Sequence, residues 1–272
     1  MAAERTFLAD LRMGMRPRFL LSILGVFLCF WFDNMEDLRQ GIHAPMTHVE
    51  NSVQCVMYYF FNSYSFGGVF SQYIAPMLAV VPLACSYCIE KQGRMALYKI
   101  TRCGKKAYVR SKFLGASLLG GTTLAAGGTL FILALHSFLP IVTPQKLLES
   151  DWIPYYRALT TGDGSAYLII VLYLSFLSGS LWSSAGLCMS AFVPSTYAAI
   201  CTPFVCGFFL CQGGRLLHLP PCLRLDMLLS ARGTLYSDAV TLLVTTGVVF
   251  GIICLMQRIF RIRIERGMQD AS

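Results

Sequence analysis

The chain is 272 residues long, and 56% of its residues are hydrophobic while 13% are charged. Because a soluble domain carries roughly 25% charged residues, this composition excludes an ordinary soluble protein and indicates an integral membrane protein. Lysine and arginine exceed aspartate and glutamate by 22 to 14, a net charge of +8, so the positions of the cations predict how the chain is oriented in the bilayer.

The N-terminal segment, residues 2–16, is predicted to form an amphipathic helix. Its apolar side chains share one helical face and its arginines the opposite face, a pattern typical of a helix that lies along a leaflet. The apolar face consists of Phe7, Leu8, Leu11 and Met15, and the basic face of Arg5, Arg12 and Arg16. We expect this helix on the inner leaflet, ending before Pro17, which suits the first turn of the next helix.

Six largely uncharged stretches are predicted to span the membrane, because a spanning helix needs roughly 20 apolar residues. Their expected bounds are residues 17–35, 66–89, 113–138, 166–190, 195–212 and 238–257. The first stretch is similar in length to a secretory signal, but it ends in Cys29-Phe-Trp-Phe32 and not in the small residues that a signal peptidase needs, so we expect it to remain as an anchor. Without an internal repeat or a long linker, residues 1–272 are predicted to form one all-α membrane domain.

The connector between the second and third spans carries a dense run of cations, from Lys91 to Lys112, without one acid. Short loops rich in lysine and arginine remain in the cytoplasm. The arginines just beyond the last span, Arg258 to Arg266, are expected to lie on the same side. Both termini are therefore predicted to be cytoplasmic.

The third and fourth spans carry small residues at intervals of four. Gly120 occupies such a position in the third span, and Gly179 in the fourth. Small residues let helix backbones approach closely. We expect these stripes to pack against each other within the chain, in preference to a dimer contact.

The segment before the sixth span, residues 213–236, combines helix breakers with apolar side chains. Glycines and prolines between Gly213 and Pro221 interrupt any helix, whereas the flanking leucines favour the membrane. Two short helices that re-enter the outer leaflet satisfy both demands, and an ordinary surface loop is the alternative. Cys55 and Cys222 are both expected outside, and a disulfide between them is left open.

Patterns of catalytic or metal-binding residues are missing. Cys85 and Cys88 have metal-ligand spacing, but no second pair accompanies them. An intramembrane serine protease needs a nucleophile and a histidine on facing spans; Ser180 and His136 are the candidates, and the sixth span contains no histidine. A phosphate-binding loop is also absent. We therefore expect no cofactor bound by this chain and no enzymatic activity of its own.

Residues 90–112 resemble a known family. They begin with Glu90, place Gly93 three residues later, continue through a short apolar helix, and reach Tyr108 and then Lys112, where the next span opens. This order is similar to the connector of type-2 ATP-binding-cassette (ABC) transporter permeases of the bacterial exporter kind. The resemblance extends to the plan of the chain: an inner-leaflet helix, six spans, and short broken helices outside before the sixth.

The resemblance implies that residues 91–108 are a coupling segment whose short helix sits in a groove of a separate ATPase subunit. Its apolar face is expected to consist of Met95, Leu97, Tyr98 and Ile100. The residues expected to contact the ATPase are Glu90, Gly93, Met95, Tyr98, Arg102, Tyr108 and Lys112. Two ATPase subunits would bind ATP and Mg. A second permease chain, identical or related, would complete the path along which cargo crosses the membrane. The expected location is the lipid of the bacterial cytoplasmic membrane, and no nucleic acid is expected as a partner.

The path for cargo is expected along the second and fifth spans, which are rich in aromatic side chains. Its expected lining is Phe66, Phe70, Tyr73, Tyr197, Phe204 and Phe208. An aromatic lining without charges suits a hydrophobic or amphipathic cargo such as a peptide, lipid or antibiotic, and export is the direction that the family implies. The alternative is a non-transporting membrane scaffold or immunity protein whose connector recruits a cytosolic partner.

Overall fold

The computed structural model describes residues 2–15, 17–43, 55–93, 95–141, 155, 164–193, 195–220, 224–232 and 237–269. Within these ranges every regular element is a helix, so the all-α prediction is confirmed. Helices suit so apolar a chain, because each helix satisfies its backbone hydrogen bonds internally and needs no water to do so.

Two helices at the N-terminus form a bent pair. α1 extends over Ala2–Gly14 and α2 over Pro17–Asp33, with an angle of 56° between them. Proline has no amide hydrogen to leave unpaired, so Pro17 begins α2 as predicted. α3, Met35–His43, follows after a single residue, and the side-chain amide of Asn34 at this junction donates to the carbonyl of Phe30 at 3.0 Å.

The predicted second span, residues 66–89, is not one continuous helix. The chain passes through α4 (Val56–Phe61), two π-helical segments (Asn62–Gly67 and Phe70–Ile74), α5 (Ala75–Val80) and α6 (Ser86–Gln92). The carboxylate of Asp33 accepts hydrogen bonds from the amides of Phe70 and Ser71, at 3.1 and 2.7 Å, and so holds the start of the second π segment beside α2. Pro82, which lacks an amide hydrogen, lies in the turn between α5 and α6.

Six helices complete the described part of the chain. They are α7 (Met95–Cys103), α8 (Lys105–His136), α9 (Ser165–Phe192), α10 (Thr196–Leu216), α11 (Leu225–Leu229) and α12 (Asp238–Gln269). α8, α9, α10 and α12 are each long and apolar enough to cross a membrane, and the bent pair α1–α2 adds a fifth crossing if it is counted as one. These four helices coincide with the third to sixth predicted spans.

α8 and α9 run antiparallel at the centre of the bundle. A Cβ atom on Gly179 would lie 2.3 Å from the carbonyl oxygen of Gly120, so glycine is needed for the two backbones to come this close. The hydroxyl of Ser180 joins the same two helices by donating to the carbonyl of Ser117 at 2.9 Å. The predicted packing of the small-residue stripes within the chain is confirmed.

We name one end of the bundle the basic end; it comprises α6, α7, the first turns of α8 and the last turns of α12. The ring of Phe260 on α12 lies 5.0 Å from that of Tyr87 and 5.3 Å from that of Phe113. The guanidinium of Arg263 lies over the ring of Phe192 at 5.6 Å. Aromatic contacts therefore join α6, α8, α9 and α12 at this end.

A second aromatic cluster holds the opposite end together. The ring of Phe30 on α2 lies 5.5 Å from that of Phe60 and 5.6 Å from that of Phe131 on α8. Such pairs contribute about 0.5–1.5 kcal/mol each beyond the area that they bury. α2, α4 and α8 are thus fixed to one another far from the basic end.

The segment predicted to re-enter the membrane, residues 213–236, is described in part. α10 extends to Leu216, and α11 packs against α9, α10 and α12. α11 is one of the two short helices expected there, and its depth in a membrane stays a prediction. The disulfide left open between Cys55 and Cys222 is not seen at Cys55, which is a free, buried cysteine in the described part of the chain, and Cys222 lies outside the described residues.

Candidate functional site

A cluster of charged side chains is buried at the basic end. It contains Asp10 from α1, Glu90 from α6, and Lys112 from α8, which are 1%, 3% and 0% exposed. Lys99 from α7 closes the cluster on its outer side and is 27% exposed. We call these four residues the ion cluster.

Lys112 lies at the centre of the ion cluster. Its Nζ donates to Glu90 Oε1 at 2.7 Å, to Asp10 Oδ1 at 2.9 Å and to Ser86 Oγ at 3.1 Å. An ammonium group has three hydrogens to donate, so all of them are used. A lysine this deeply buried is tolerated because two carboxylates and a hydroxyl replace its water.

Neutral hydroxyls and a second lysine satisfy the remaining oxygens of the two carboxylates. Tyr108 donates to Glu90 Oε2 at 2.6 Å, and Ser111 donates to Asp10 Oδ2 at 2.9 Å. Lys99 Nζ donates to Glu90 Oε1 at 2.6 Å and lies 3.6 Å from Asp10 Oδ1. Two carboxylates face two ammonium groups, so the cluster is electrically balanced.

Local sequence explains how these side chains converge. Tyr108 and Lys112 are four residues apart and therefore lie on one face of α8. Gly104 separates α7 from α8 with φ of +81°, in the left-handed region that favours glycine, and so lets α7 turn back beside α8. Gly14 lets α1 approach, because a Cβ atom there would lie 2.2 Å from Leu119 Cδ1.

Two members of the ion cluster, Glu90 and Lys99, lie outside the long helices, and the cluster shifts their pKa values. Burial alone would raise the pKa of Glu90, but the nearby Lys112 charge and the hydrogen bonds from Lys112, Lys99 and Tyr108 outweigh it and lower that pKa. Burial would lower the pKa of Lys99, but its hydrogen bond and attraction to Glu90, together with Asp10, raise it. Both shifts favour the charged forms.

The short helix α7 presents an apolar face on the outside of the basic end. Met95 is 63% exposed, Tyr98 65% and Leu97 49%. Ala96 and Ile100 are each 6% exposed and attach the helix to the core. The expectation that Ile100 belongs to the outward apolar face is wrong, because its helical position turns it inward.

The seven residues expected to contact an ATPase fall into two groups. Glu90, Tyr108 and Lys112 point into the chain and are used up in the ion cluster and its hydrogen bonds. The other four are exposed on or beside α7: Gly93, Met95, Tyr98 and Arg102. Only this second group offers side-chain or backbone surface to a partner, and the first group holds that surface in place.

The residues expected to line a cargo path are only partly brought together. Tyr73 lies 5.6 Å from Phe204 on α10, ring to ring, whereas the ring of Phe70 packs on Phe32 of α2 at 5.8 Å. Tyr197 and Phe208 are 82% and 45% exposed on α10. Phe66 belongs to a π segment, and its side chain lies outside the described part of the chain.

Four partners in the site were not expected from the sequence: Asp10, Ser86, Lys99 and Ser111. Asp10 is separated from Lys112 by a hundred residues, so no local spacing reveals their pairing. One signal was present, because an acid in an amphipathic helix needs a cation opposite it when its side chain is buried.

Among the described residues, no group of three or more His, Cys, Asp or Glu side chains is placed to hold a metal ion. The hydroxyl of Ser180 is engaged with a backbone carbonyl, and His136 is the exposed last residue of α8. What the ion cluster does physically is to join α1, α6, α7 and α8 into one unit.

Comparison with known proteins adds no assignment: no family model, no curated protein and no solved structure matches this chain. Geometry and chemistry of the residues themselves therefore carry the functional argument.

Proposed function

We propose that this chain is the membrane-spanning subunit of an ATP-driven transporter, similar to type-2 ABC permeases, in the bacterial cytoplasmic membrane. The observation that carries the proposal is α7, a short helix with an exposed apolar face that buried charges fasten to the rest of the bundle. An outward apolar face beside arginine and tyrosine is the composition of a protein interface. The expected occupant is a cassette ATPase.

Displacement of α7 would pass through the ion cluster to the long helices. Lys99 on α7 and Lys112 on α8 share one oxygen of Glu90, so α7 cannot move away from α8 without breaking the ion pair between Lys99, which is 27% exposed, and the buried Glu90. Movement of α7 as two ATPase subunits close on ATP and Mg would therefore carry α1, α6 and α8 with it.

Charge distribution supports the orientation in which the basic end faces the cytoplasm, where ATP is available. The connector from Lys91 to Lys112 and the arginines at the end of α12 all belong to this end. Cations in short connectors remain on the cytoplasmic side. A second permease chain would complete the path for a hydrophobic or amphipathic cargo, and export is the proposed direction.

The test is purification of the full chain from its native membrane, followed by identification of what accompanies it. We expect a cassette ATPase with the wild-type chain. Tyr98→Asp places a charge on the outward face of α7 and should weaken that association by about 30-fold or more, the loss expected for an interface tyrosine. Tyr58→Asp is the matched control, because Tyr58 is 38% exposed but lies on α4, away from the basic end.

The outcome separates transport from a scaffold role. Association that survives Tyr98→Asp as well as Tyr58→Asp, or the absence of any ATPase from the wild-type complex, contradicts the proposal. A non-transporting scaffold or immunity protein is the second candidate, since the exposed face of α7 would serve recruitment alone. It predicts a partner whose ATP hydrolysis, if any, does not change when cargo is added.

A further inference from the structure

A largely apolar cavity with several polar groups in its lining lies in the half of the bundle away from the ion cluster. It has a volume of about 90 Å³ and is enclosed by α2, the π segments, α5, α8, α9, α10 and the α11 region. None of the four residues of the ion cluster lines it. The cavity therefore belongs to a different part of the molecule from the site described above.

Two serines that line this cavity carry buried hydroxyl groups without a partner among the described residues. Ser65 is 0% exposed and Ser175 is 1% exposed, and in the described part of the chain the Oγ of neither makes a hydrogen bond. A buried hydroxyl without a partner is unfavourable, and such groups are usually satisfied by something that occupies the site. The two serines come from different elements, a π segment and α9, and line one cavity.

Charge and shape of the lining limit what can bind. The charged lining residues are Asp226 and Arg232, which have opposite signs, and Asp226 is also paired with Arg224 at 2.6 Å. The remaining polar lining is neutral, and Tyr73 and Trp182 add aromatic surface. Neutral hydrogen-bonding groups beside aromatic rings suit an uncharged polar group carried on an apolar body.

The cavity reaches the side of the bundle. Gln72 and Leu210 both line it and are both exposed, so it opens between the second π segment and α10. Next to this opening, Phe204 and Phe208 are each 45% exposed on α10. A ligand longer than the cavity can thus place its polar end inside and lay its apolar part along α10.

We propose that this cavity binds the uncharged amide or hydroxyl group of an amphipathic ligand, through hydrogen bonds to Ser65 and Ser175. The ligand enters from the side, between the second π segment and α10. The inference rests on the proposed function only in calling that ligand the cargo. The binding site itself does not require the ATPase.

Equilibrium binding of a radiolabelled probe to the full chain in lipid nanodiscs tests the proposal. The probe is N-decylacetamide, which has a neutral amide and a single alkyl chain, and decanoate is the charged comparison of similar length. We expect saturable binding of the amide above its partition into empty nanodiscs, and at least tenfold weaker binding of decanoate. Equal or tighter binding of decanoate overturns the assignment of an uncharged ligand.

Serine variants locate the bound probe. Ser175→Ala and Ser65→Ala should each weaken binding by roughly 2- to 12-fold, the loss of one hydrogen bond. Neither variant should destabilise the empty chain, because neither removes a hydrogen bond made within the protein. Ser180→Ala is the matched control on the same helix: its hydroxyl donates to Ser117, so stability should fall while probe affinity stays unchanged.

A blocking variant gives a second readout. Gly207 lines the cavity, and a Cβ atom there would lie 3.8 Å from the Trp182 ring, an ordinary contact, so Gly207→Leu should fold and abolish probe binding. No saturable binding to the wild-type chain, or equal affinity in Ser175→Ala and Ser180→Ala, means that the cavity holds water only and overturns the proposal. Failure of ATPase association in the separate purification leaves this result unaffected.

Discussion

Replacement of Glu90 by glutamine tests whether the ion cluster fastens the basic end together. Glu90→Gln keeps the shape of the side chain but removes the negative charge that accepts from Lys99, Lys112 and Tyr108. The cluster then holds two ammonium groups and one carboxylate, with Lys112 still fully buried. Glu265→Gln is the matched control, because Glu265 is 39% exposed and pairs with the exposed Arg261 one turn away.

The losses of unfolding free energy caused by the two substitutions should differ by about an order of magnitude. Removal of one partner from a buried ion pair costs about 3–5 kcal/mol, and in Glu90→Gln the two ammonium groups of the cluster, one of them fully buried, are left to share the carboxylate of Asp10. An exposed pair four residues apart on a helix contributes about 0.3–0.5 kcal/mol. We therefore expect Glu90→Gln to be strongly destabilising and Glu265→Gln to be close to neutral.

Reversible unfolding of the purified chain in mixed micelles, followed by the loss of helical circular dichroism, measures both values. A double variant, Glu90→Gln with Lys112→Met, separates charge from shape, since it removes one charge of each sign from the cluster. It should recover most of the lost stability. Equal small losses in Glu90→Gln and Glu265→Gln, or no recovery in the double variant, would refute the reasoning.

Acidity and helix packing provide two more tests. The pKa of Glu90 is lowered and that of Lys99 is raised, so the stabilisation by the cluster is fully present between the usual values of 4.5 and 10.5. This stabilisation is lost as the pH falls through the lowered pKa of Glu90 or rises through the raised pKa of Lys99. The stability difference between wild type and Glu90→Gln should therefore shrink below pH 4.5. A constant difference down to pH 3 contradicts the assignment. Gly179→Ala should destabilise the protein by about 1–3 kcal/mol, because its Cβ atom meets the Gly120 carbonyl. Gly251→Ala is the control: it has open space around it and should be neutral or stabilising by up to about 1 kcal/mol. Thermal unfolding measures both, and equal effects would show that α8 and α9 are not in close contact.

The long helices were predictable because charge-free length is a strong signal. α9 and α10 begin within one residue of the predicted positions, 166 and 195. α8 begins at Lys105, eight residues before the predicted start at 113, because its charged first turns belong to the helix and Lys112 is buried against its partners. Helix formation depends on backbone hydrogen bonds, so a paired lysine inside α8 does not end it.

The interrupted second segment and the ion cluster were not predictable in the same way. Residues 66–89 have the composition of a span, but the carboxylate of Asp33 accepts a hydrogen bond from the backbone amide of Ser71 and holds the chain in a π segment there. This contact joins positions far apart in sequence. Asp10 likewise gains its role from Lys112, which only folding brings near. Composition indicates whether a segment prefers the bilayer or water. Contacts between distant residues determine its local backbone conformation.

The broken course of the chain between Val56 and Gln92 constrains how the protein is built into a bilayer. Where the two π segments meet, the amides of Phe70 and Ser71 donate to the carboxylate of Asp33, and hydrocarbon offers no such acceptor. Contact with lipid tails alone is therefore unfavourable for this segment. Because α5 packs against α8 and α9, and α4 against α8, we expect this segment to reach its final shape only after the later helices have been inserted.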